Sequence, residues 1–179
     1  MTTPLLVLVT GPPGAGKTTL ARQLAPRLEL PLIAKDEIKE SLADSLGSAD
    51  LEWSMKLGRA TWDVLFVLLR RFVADGASAI FESNFYPELH TERLHALRRV
   101  HPYVPFEVHC TAEAPILVRR DAERERHGVH FTKGTGEEWL AANGPLELSD
   151  DRVRVDTGTP EPVDLDGIVD QIRGIADGL

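Results

Sequence analysis

Gly11, Gly14, Gly16, Lys17 and Thr18 are the residues whose types and spacing can do chemistry together. They fall in LVLVTGPPGAGKTT, residues 6–19, which satisfies G-x-x-x-x-G-K-[ST] between an apolar run and a segment with helical spacing. Glycines put no Cβ in the way, so the backbone N–H groups of Gly14, Ala15, Gly16 and Lys17 can turn inward on an anion. The N-terminus of the following helix adds about half a positive charge at the same point. Such a loop cradles phosphate. Lys17 is suited to the β- and γ-phosphates of a nucleotide, the Thr18 hydroxyl to Mg²⁺, and Thr19 to the α-phosphate. The expected nucleotide-binding set is Gly11, Pro12, Pro13, Gly14, Ala15, Gly16, Lys17, Thr18 and Thr19, with ATP and Mg²⁺ as cofactors.

These groups need a frame. Leu5–Thr10 reads as a strand apolar on both faces, as in the middle of a parallel sheet. Leu20, Leu24 and Leu28 recur at helical spacing after the loop, and Pro26 should loosen the last turn. Pro31–Ala34 is a short second strand that delivers Lys35 and Asp36 to its carboxyl end, before a short helix over residues 37–42. Asp50 is placed to cap a long helix through Trp53, Leu57, Val64, Leu68 and Phe72, with Gly76 as its stop. Ala77–Phe81 is a third strand, ending in Glu82-Ser83-Asn84. A helix opens at Pro87, and Val104–Cys110 is the fourth strand. Thr111 is expected to cap a helix that buries Ile116, Leu117 and Val118. Thr135-x-x-Glu138 has the pattern of a capping box opening a short helix that stops at Asn143-Gly144. Val153–Val155 is the fifth strand, residues 156–160 a turn, and Val163–Ala176 the last helix. Strands separated throughout by helices imply right-handed crossovers and a parallel sheet covered on both faces. Ligands bind beyond the carboxyl ends of such strands. Here those ends carry Gly11–Thr18, Asp36, Glu82–Asn84 and the Thr111 region.

GPPGAGKTT, followed about twenty residues later by KDEIKESL, resembles the P-loop kinases that phosphorylate a hydroxyl group. That branch includes chloramphenicol phosphotransferase, zeta toxins, gluconate kinase and the kinase domain of polynucleotide kinase. FESNF at residues 81–85, the Arg-rich segment from Arg119 to His130 and VDTGTP at residues 155–160 extend the resemblance over most of the chain. It implies an α/β, three-layer P-loop NTPase fold with a five-stranded parallel sheet in the order 2-3-1-4-5. It also implies a single kinase domain over residues 1–179, with a lid around residues 119–136. In the family, the acidic residue matching Asp36 lies opposite the γ-phosphate and orients or deprotonates the acceptor hydroxyl. A carboxylate can take that proton while cations neutralise the equatorial phosphoryl oxygens.

Each assignment has a plainer counterpart. Asp36 also fits an N-cap for residues 37–42. Lys39, one turn on, is either a substrate contact or a solvated lysine. Glu82 stands where P-loop proteins often place a Mg²⁺-linked carboxylate, and it equally suits a bond to substrate or a structural role. Asn84 is a weaker candidate for substrate. The arginines 119, 120, 124 and 126 resemble a lid closing over phosphates, with Arg120 and Arg124 the catalytic choices, although a charge run is also the mark of a solvated helix face. A lid would gain order on nucleotide binding. His127-x-x-His130 has no matching cysteine or carboxylate set with zinc spacing, which leaves a lid or substrate contact or plain surface histidines.

The totals narrow the classes. The chain has 179 residues, 42% hydrophobic, a net charge of −8 and one cysteine. That is an ordinary cytoplasmic profile with one core and no internal disulfide, and no apolar run is long enough to span a bilayer. The expected function is transfer of the γ-phosphoryl group of ATP to a hydroxyl of a small metabolite or antibiotic. A polynucleotide 5′-hydroxyl kinase is the alternative, against which the acidic balance counts. A nucleotide switch or ATPase is the alternative of another class. Guanine specificity would need Asn/Thr-Lys-x-Asp, and Thr132-Lys133-Gly134-Thr135 lacks its aspartate. An AAA-type motor would show a strand ending in Asp-Glu, where this third strand ends in Glu-Ser. The acceptor pocket is expected from residues 36–60 and 83–90, with Trp53, Met55, Trp62, Phe85 and Tyr86 as wall candidates; the plainer alternative is that the helical aromatics, Trp62 first, belong to the core.

Overall fold

The first strand is buried along its whole length because apolar layers cover both of its faces. The computed structural model describes residues 3–123, 127–130 and 143–178. Its elements run β1 (Leu5–Thr10), α1 (Lys17–Leu28), β2 (Leu32–Ala34), α2 (Lys35–Leu46), α3 (Leu51–Ala74), β3 (Ala79–Glu82), α4 (Pro87–Val100), β4 (Val104–Thr111), α5 (Ala114–Glu123), β5 (Arg152–Asp156) and α6 (Leu165–Ala176). The five strands form one parallel sheet in the order 2-3-1-4-5, as expected from the sequence. Leu5, Val7 and Val9 of β1 pack with Leu20 and Leu24 of α1 and Ile168 and Ile172 of α6. Leu6 and Leu8, pointing the other way, pack with Leu65 and Leu69 of α3 and Leu94 of α4. Each such side chain removed from water contributes about 1.5–3 kcal/mol, so the two layers fix the strand, and with it the loop that leaves its end.

Local chemistry sets the helix ends. The Asp50 carboxylate accepts the Trp53 N–H at 2.8 Å and starts α3; Asp164 does the same for α6 through Gly167. β2 passes into α2 without a loop. The helix begins at Lys35 with Ala34 as its N-cap, and it runs to Leu46 rather than over 37–42. Asp36 therefore lies inside the first turn and is not the cap. Thr111 is not a cap either, because β4 extends to pair it with Asp156 of β5, and α5 starts at Ala114. Of the three residues expected to be buried on α5, Leu117 is buried, Ile116 half-buried and Val118 exposed. The capping-box pattern at Thr135 and Glu138 lies outside the described residues.

Behind the phosphate loop a polar cluster replaces apolar packing. The Thr10 hydroxyl donates to Glu107 Oε1 at 2.7 Å, and His109 Nδ1 lies 2.9 Å from the same oxygen of Thr10. The hydroxyl proton is committed to Glu107, so the imidazole donates and carries its proton on Nδ1. The Leu146 N–H reaches both Glu107 oxygens at 3.0 Å, which ties residues 143–148 to the sheet. Burial pushes the Glu107 carboxyl above its ordinary range, opposed by the Thr10 and Leu146 hydrogen bonds. It pushes the His109 imidazole down to about 4, helped by Arg154, Lys17 and Arg152.

Candidate active site

Gly11, Gly14 and Gly16 all have positive φ, at 124°, 81° and 73°, a region open to glycine and costly for other residues. Gly16 is the N-cap of α1 and provides no side-chain cap, so the first N–H groups of the helix are left to an anion. Lys17 Nζ donates to the Pro12 carbonyl at 2.9 Å, which folds the side chain back over the loop. Thr18 Oγ1 donates to Glu82 Oε2 at 3.0 Å. Thr19 is exposed on the first turn.

One cavity of about 350 Å³ opens beside this loop. Lys17, Thr18, Asp36, Lys39, Glu82 and Asn84 all line it, so the sheet brings the sequence-derived groups to one place. The Thr18 hydroxyl and the buried Glu82 carboxylate are hard oxygen donors in direct contact. That donor set fits Mg²⁺, held directly or through water. Among the described residues no group of three or more His, Cys, Asp or Glu is arranged to hold a metal by itself.

Several groups take places that the sequence pattern left open. Lys39 is buried, not solvated: its Nζ donates to Ser54 Oγ at 2.9 Å and to the Val129 carbonyl at 3.3 Å. Asn84 Nδ2 donates to the Tyr86 phenol oxygen at 2.7 Å. Of the expected wall residues, Met55 and Tyr86 line the cavity, while Phe85 is fully buried and Trp53 donates its indole N–H to the Gly47 carbonyl. Trp62 takes both expected roles, lining the cavity and packing against the core. The histidine pair docks residues 127–130 onto α2: His127 Nε2 lies 2.9 Å from Asp44 and His130 Nε2 2.9 Å from Glu40. The Ser54 hydroxyl adds a 2.6 Å bond to the Val129 carbonyl.

Arg120 stands elsewhere. Its guanidinium donates to Thr157 Oγ1 at 3.1 Å and to the Thr157 carbonyl at 2.8 Å. Thr157 in turn bonds the Ala15 and Thr111 carbonyls. In this arrangement Arg120 braces the turn after β5 against the phosphate loop and does not reach the cavity that holds Asp36. Arg124, with Arg126, lies outside the described residues.

The sequence places Lys35 at the end of the second strand without a role and gives none to His90. Lys35 is the first residue of α2, with its side chain buried and its Nζ 3.5 Å from Asp36 Oδ1 and 5.3 Å from the Trp62 ring centre. His90 stacks on Trp62 with ring centres 3.9 Å apart. His90 Nδ1 accepts the Tyr86 N–H at 2.9 Å, so the neutral ring carries its proton on Nε2. The available signal was spacing: His90 follows Tyr86 by one helical turn beyond the Pro87 start.

Burial pushes the His90 imidazole down to about 4, Arg93 and Lys35 acting in the same sense. The folded value lies below the unfolded one near 6.5, so the unfolded chain binds more protons in between. The stability this ring contributes is complete above pH 6.5 and is lost as pH falls towards 4. We expect the melting temperature to decline over that window, and His90→Gln to flatten the decline by on the order of 2–3 kcal/mol. Parallel wild-type and variant melting curves against pH would refute this reading of His90.

A family model described as an AAA domain matches residues 6–148. The chain belongs to the AAA-domain family. A cytidylate kinase of Pyrobaculum calidifontis is 41% identical over 128 residues, which are 71% of this chain. The chain spans 63% of the length of that curated relative. The solved structure of a candidate kinase from Chloroflexus aurantiacus is 37% identical, with a TM-score of 0.86 over 97% of this chain and 98% of that one. A gluconokinase from Sinorhizobium meliloti is 18% identical, with a TM-score of 0.58 over 99% of this chain and 97% of that one; that likeness speaks to the fold. This AAA-domain chain has the sheet order and phosphate loop of the P-loop kinases. No helix of its described residues is long and apolar enough to cross a membrane.

Proposed function

We propose that the chain is an ATP- and Mg²⁺-dependent cytoplasmic kinase that transfers the γ-phosphoryl group to a hydroxyl of a small molecule. The observation that supports this reading best is the meeting of the phosphate loop, the Thr18–Glu82 pair and Asp36 around one cavity. The loop N–H groups and Lys17 hold and neutralise the phosphates. Mg²⁺, when bound by Thr18 and Glu82, supplies further positive charge to the phosphate oxygens. Asp36 lines the same cavity and accepts the proton as the acceptor oxygen bonds to the γ-phosphorus. The bond from phosphorus to the bridging oxygen breaks, and ADP leaves with those electrons. In this reading residues 119–136 close over the nucleotide as a lid of a single kinase domain. Arg124 is assigned to the phosphates from its place in the sequence, Arg120 anchors the first helix, and Lys39 and Asn84 shape the acceptor wall.

The cytidylate kinase relative motivates a second reading, in which the acceptor is the phosphate of a nucleotide. A phosphate acceptor is already anionic and needs cations rather than a base, and a carboxylate facing it would repel it. Asp36 on the cavity wall favours the hydroxyl. The test is transfer of labelled γ-phosphate from ATP and Mg²⁺ to hydroxylated metabolites, antibiotics, nucleoside monophosphates and 5′-hydroxyl oligonucleotides. A phosphate ester on a small alcohol, abolished by chelating Mg²⁺, is the expected product. A nucleoside diphosphate would establish the second reading, and a 5′-phosphorylated oligonucleotide the polynucleotide one. Free phosphate without any phosphorylated product would return the chain to the switch or ATPase class.

A further inference from the structure

Lys35 is a buried ammonium in a place that folding alone does not favour. Its residue is 8% exposed, and it opens α2, where the helix dipole already presents positive charge. Burying a lysine costs free energy unless its donors are satisfied. Among the described residues its polar contact is the Asp36 carboxylate at 3.5 Å, too long for a strong hydrogen bond. The Trp62 ring supplies an additional attraction at 5.3 Å. The side chain lines the cavity shared with the phosphate loop, so its remaining N–H donors are available to whatever occupies that space.

The neighbouring wall is rich in donors too. The Tyr86 oxygen accepts from Asn84, which leaves its own proton to give. His90 uses Nδ1 as an acceptor, which leaves Nε2–H as a donor, and its ring is fixed against Trp62. Both residues line the cavity. Donors without acceptors in a confined space are matched by a ligand that brings oxygens, and a buried ammonium is matched best by one that brings negative charge.

We propose that the acceptor is a hydroxylated anion whose carboxylate or phosphate group is bound by Lys35, with Tyr86 and His90 as flanking donors, while its hydroxyl faces Asp36. This rests on the kinase reading for the second half of the statement only. Lys35 bridges the ligand's anionic group and the Asp36 carboxylate, which keeps the two negative charges from meeting unscreened. The same ammonium that binds the acceptor then places its hydroxyl beside the base. The proposal makes Lys35 a specificity residue for the acceptor, with no part in holding ATP.

The experiment compares matched pairs on the full chain loaded with Mg²⁺ and a non-hydrolysable ATP analogue. Gluconate against sorbitol isolates a carboxylate, and cytidine 5′-monophosphate against cytidine isolates a phosphate. Calorimetric titration should show the anion of at least one pair binding ten-fold or more tighter than its neutral partner. Lys35→Met, which keeps the stem against Trp62, should abolish that preference and leave both the neutral ligand and the ATP analogue unaffected. Absence of preference in the wild type, a preference that survives Lys35→Met, or weakened ATP-analogue binding in that variant would each overturn the proposal. Labelled transfer from ATP, run on the same pairs, separates the two claims. Lys35-dependent binding without phosphoryl transfer defeats the kinase reading and leaves the anion site standing. Faster transfer to the neutral partner does the reverse.

Discussion

Asp36→Asn is expected to lower the turnover of phosphoryl transfer by about 10²–10⁴-fold, the range that a positioned general base contributes. The fold should tolerate the change. Asp36 lies inside the first turn of α2 and is not its cap, with a side chain 39% exposed. Its loss removes a helix-dipole contribution of about 0.3–1 kcal/mol, and asparagine keeps an amide oxygen where the carboxylate meets Lys35 at 3.5 Å. Asparagine keeps the shape and can still receive the acceptor's O–H, yet it cannot take the proton. The deficit should therefore fall on kcat, with ATP affinity and melting temperature close to wild type. The measurement is single-turnover transfer of the γ-phosphoryl group at saturating acceptor. Turnover retained within three-fold would leave Asp36 the lesser role of complementing a helix N-terminus.

The parts legible in the sequence were those whose chemistry is local. The phosphate loop is contiguous, so the motif itself sets the backbone of its glycines and the places of the Lys17 and Thr18 side chains. β1 was legible because a central parallel strand is apolar on both faces, and Asp36 because it follows a strand directly. The Asp50 cap was legible for the same local reason. Lys35 and His90 depend instead on tertiary adjacency. β2 pairs with β3 so that Ala34 stands beside Glu82, and only then does the start of α2 face Trp62 and the first turn of α4. Trp62 carries the 3.6-residue signal of a core helix and also packs on the core, since its ring meets Phe66 as well as His90. Its other role, lining the cavity, leaves no trace in periodicity. Thr111 misled for a related reason. A threonine before a helix looks like a cap, but backbone pairing with Asp156 kept it in the strand. Lys39 stayed open between a substrate contact and a solvated lysine because its partner Val129 is ninety positions away in sequence.

Gly11→Ala should be the most damaging single methyl that can be added to the phosphate loop. At φ of 124° an L side chain is strained whatever the space, and a Cβ there would stand 2.0 Å from the Cys110 carbonyl oxygen. That oxygen belongs to β4, whose neighbours Val108 and His109 are registered against Val9 and Thr10 of β1. Neither strand can retreat without breaking the ladder that positions the loop, and the Thr10–Glu107 bond behind it would move as well. Gly16→Ala is the control, because its added Cβ meets Thr157 at an ordinary 3.6 Å and suffers from its φ of 73° without a clash. Left-handed backbone alone costs about 1–2 kcal/mol; strain with a backbone collision should exceed about 3 kcal/mol. In a domain of this size that separates the two variants by several degrees in melting temperature, with a loss of about 6–12 °C or more for Gly11→Ala. ATP binding should fail in Gly11→Ala and weaken in Gly16→Ala, because the first displaces the loop from its strand and the second strains one N–H of the cradle. Equal melting temperatures would mean that the β4 carbonyl can yield, and the rigid join between the central strands and the phosphate loop would lose its physical basis.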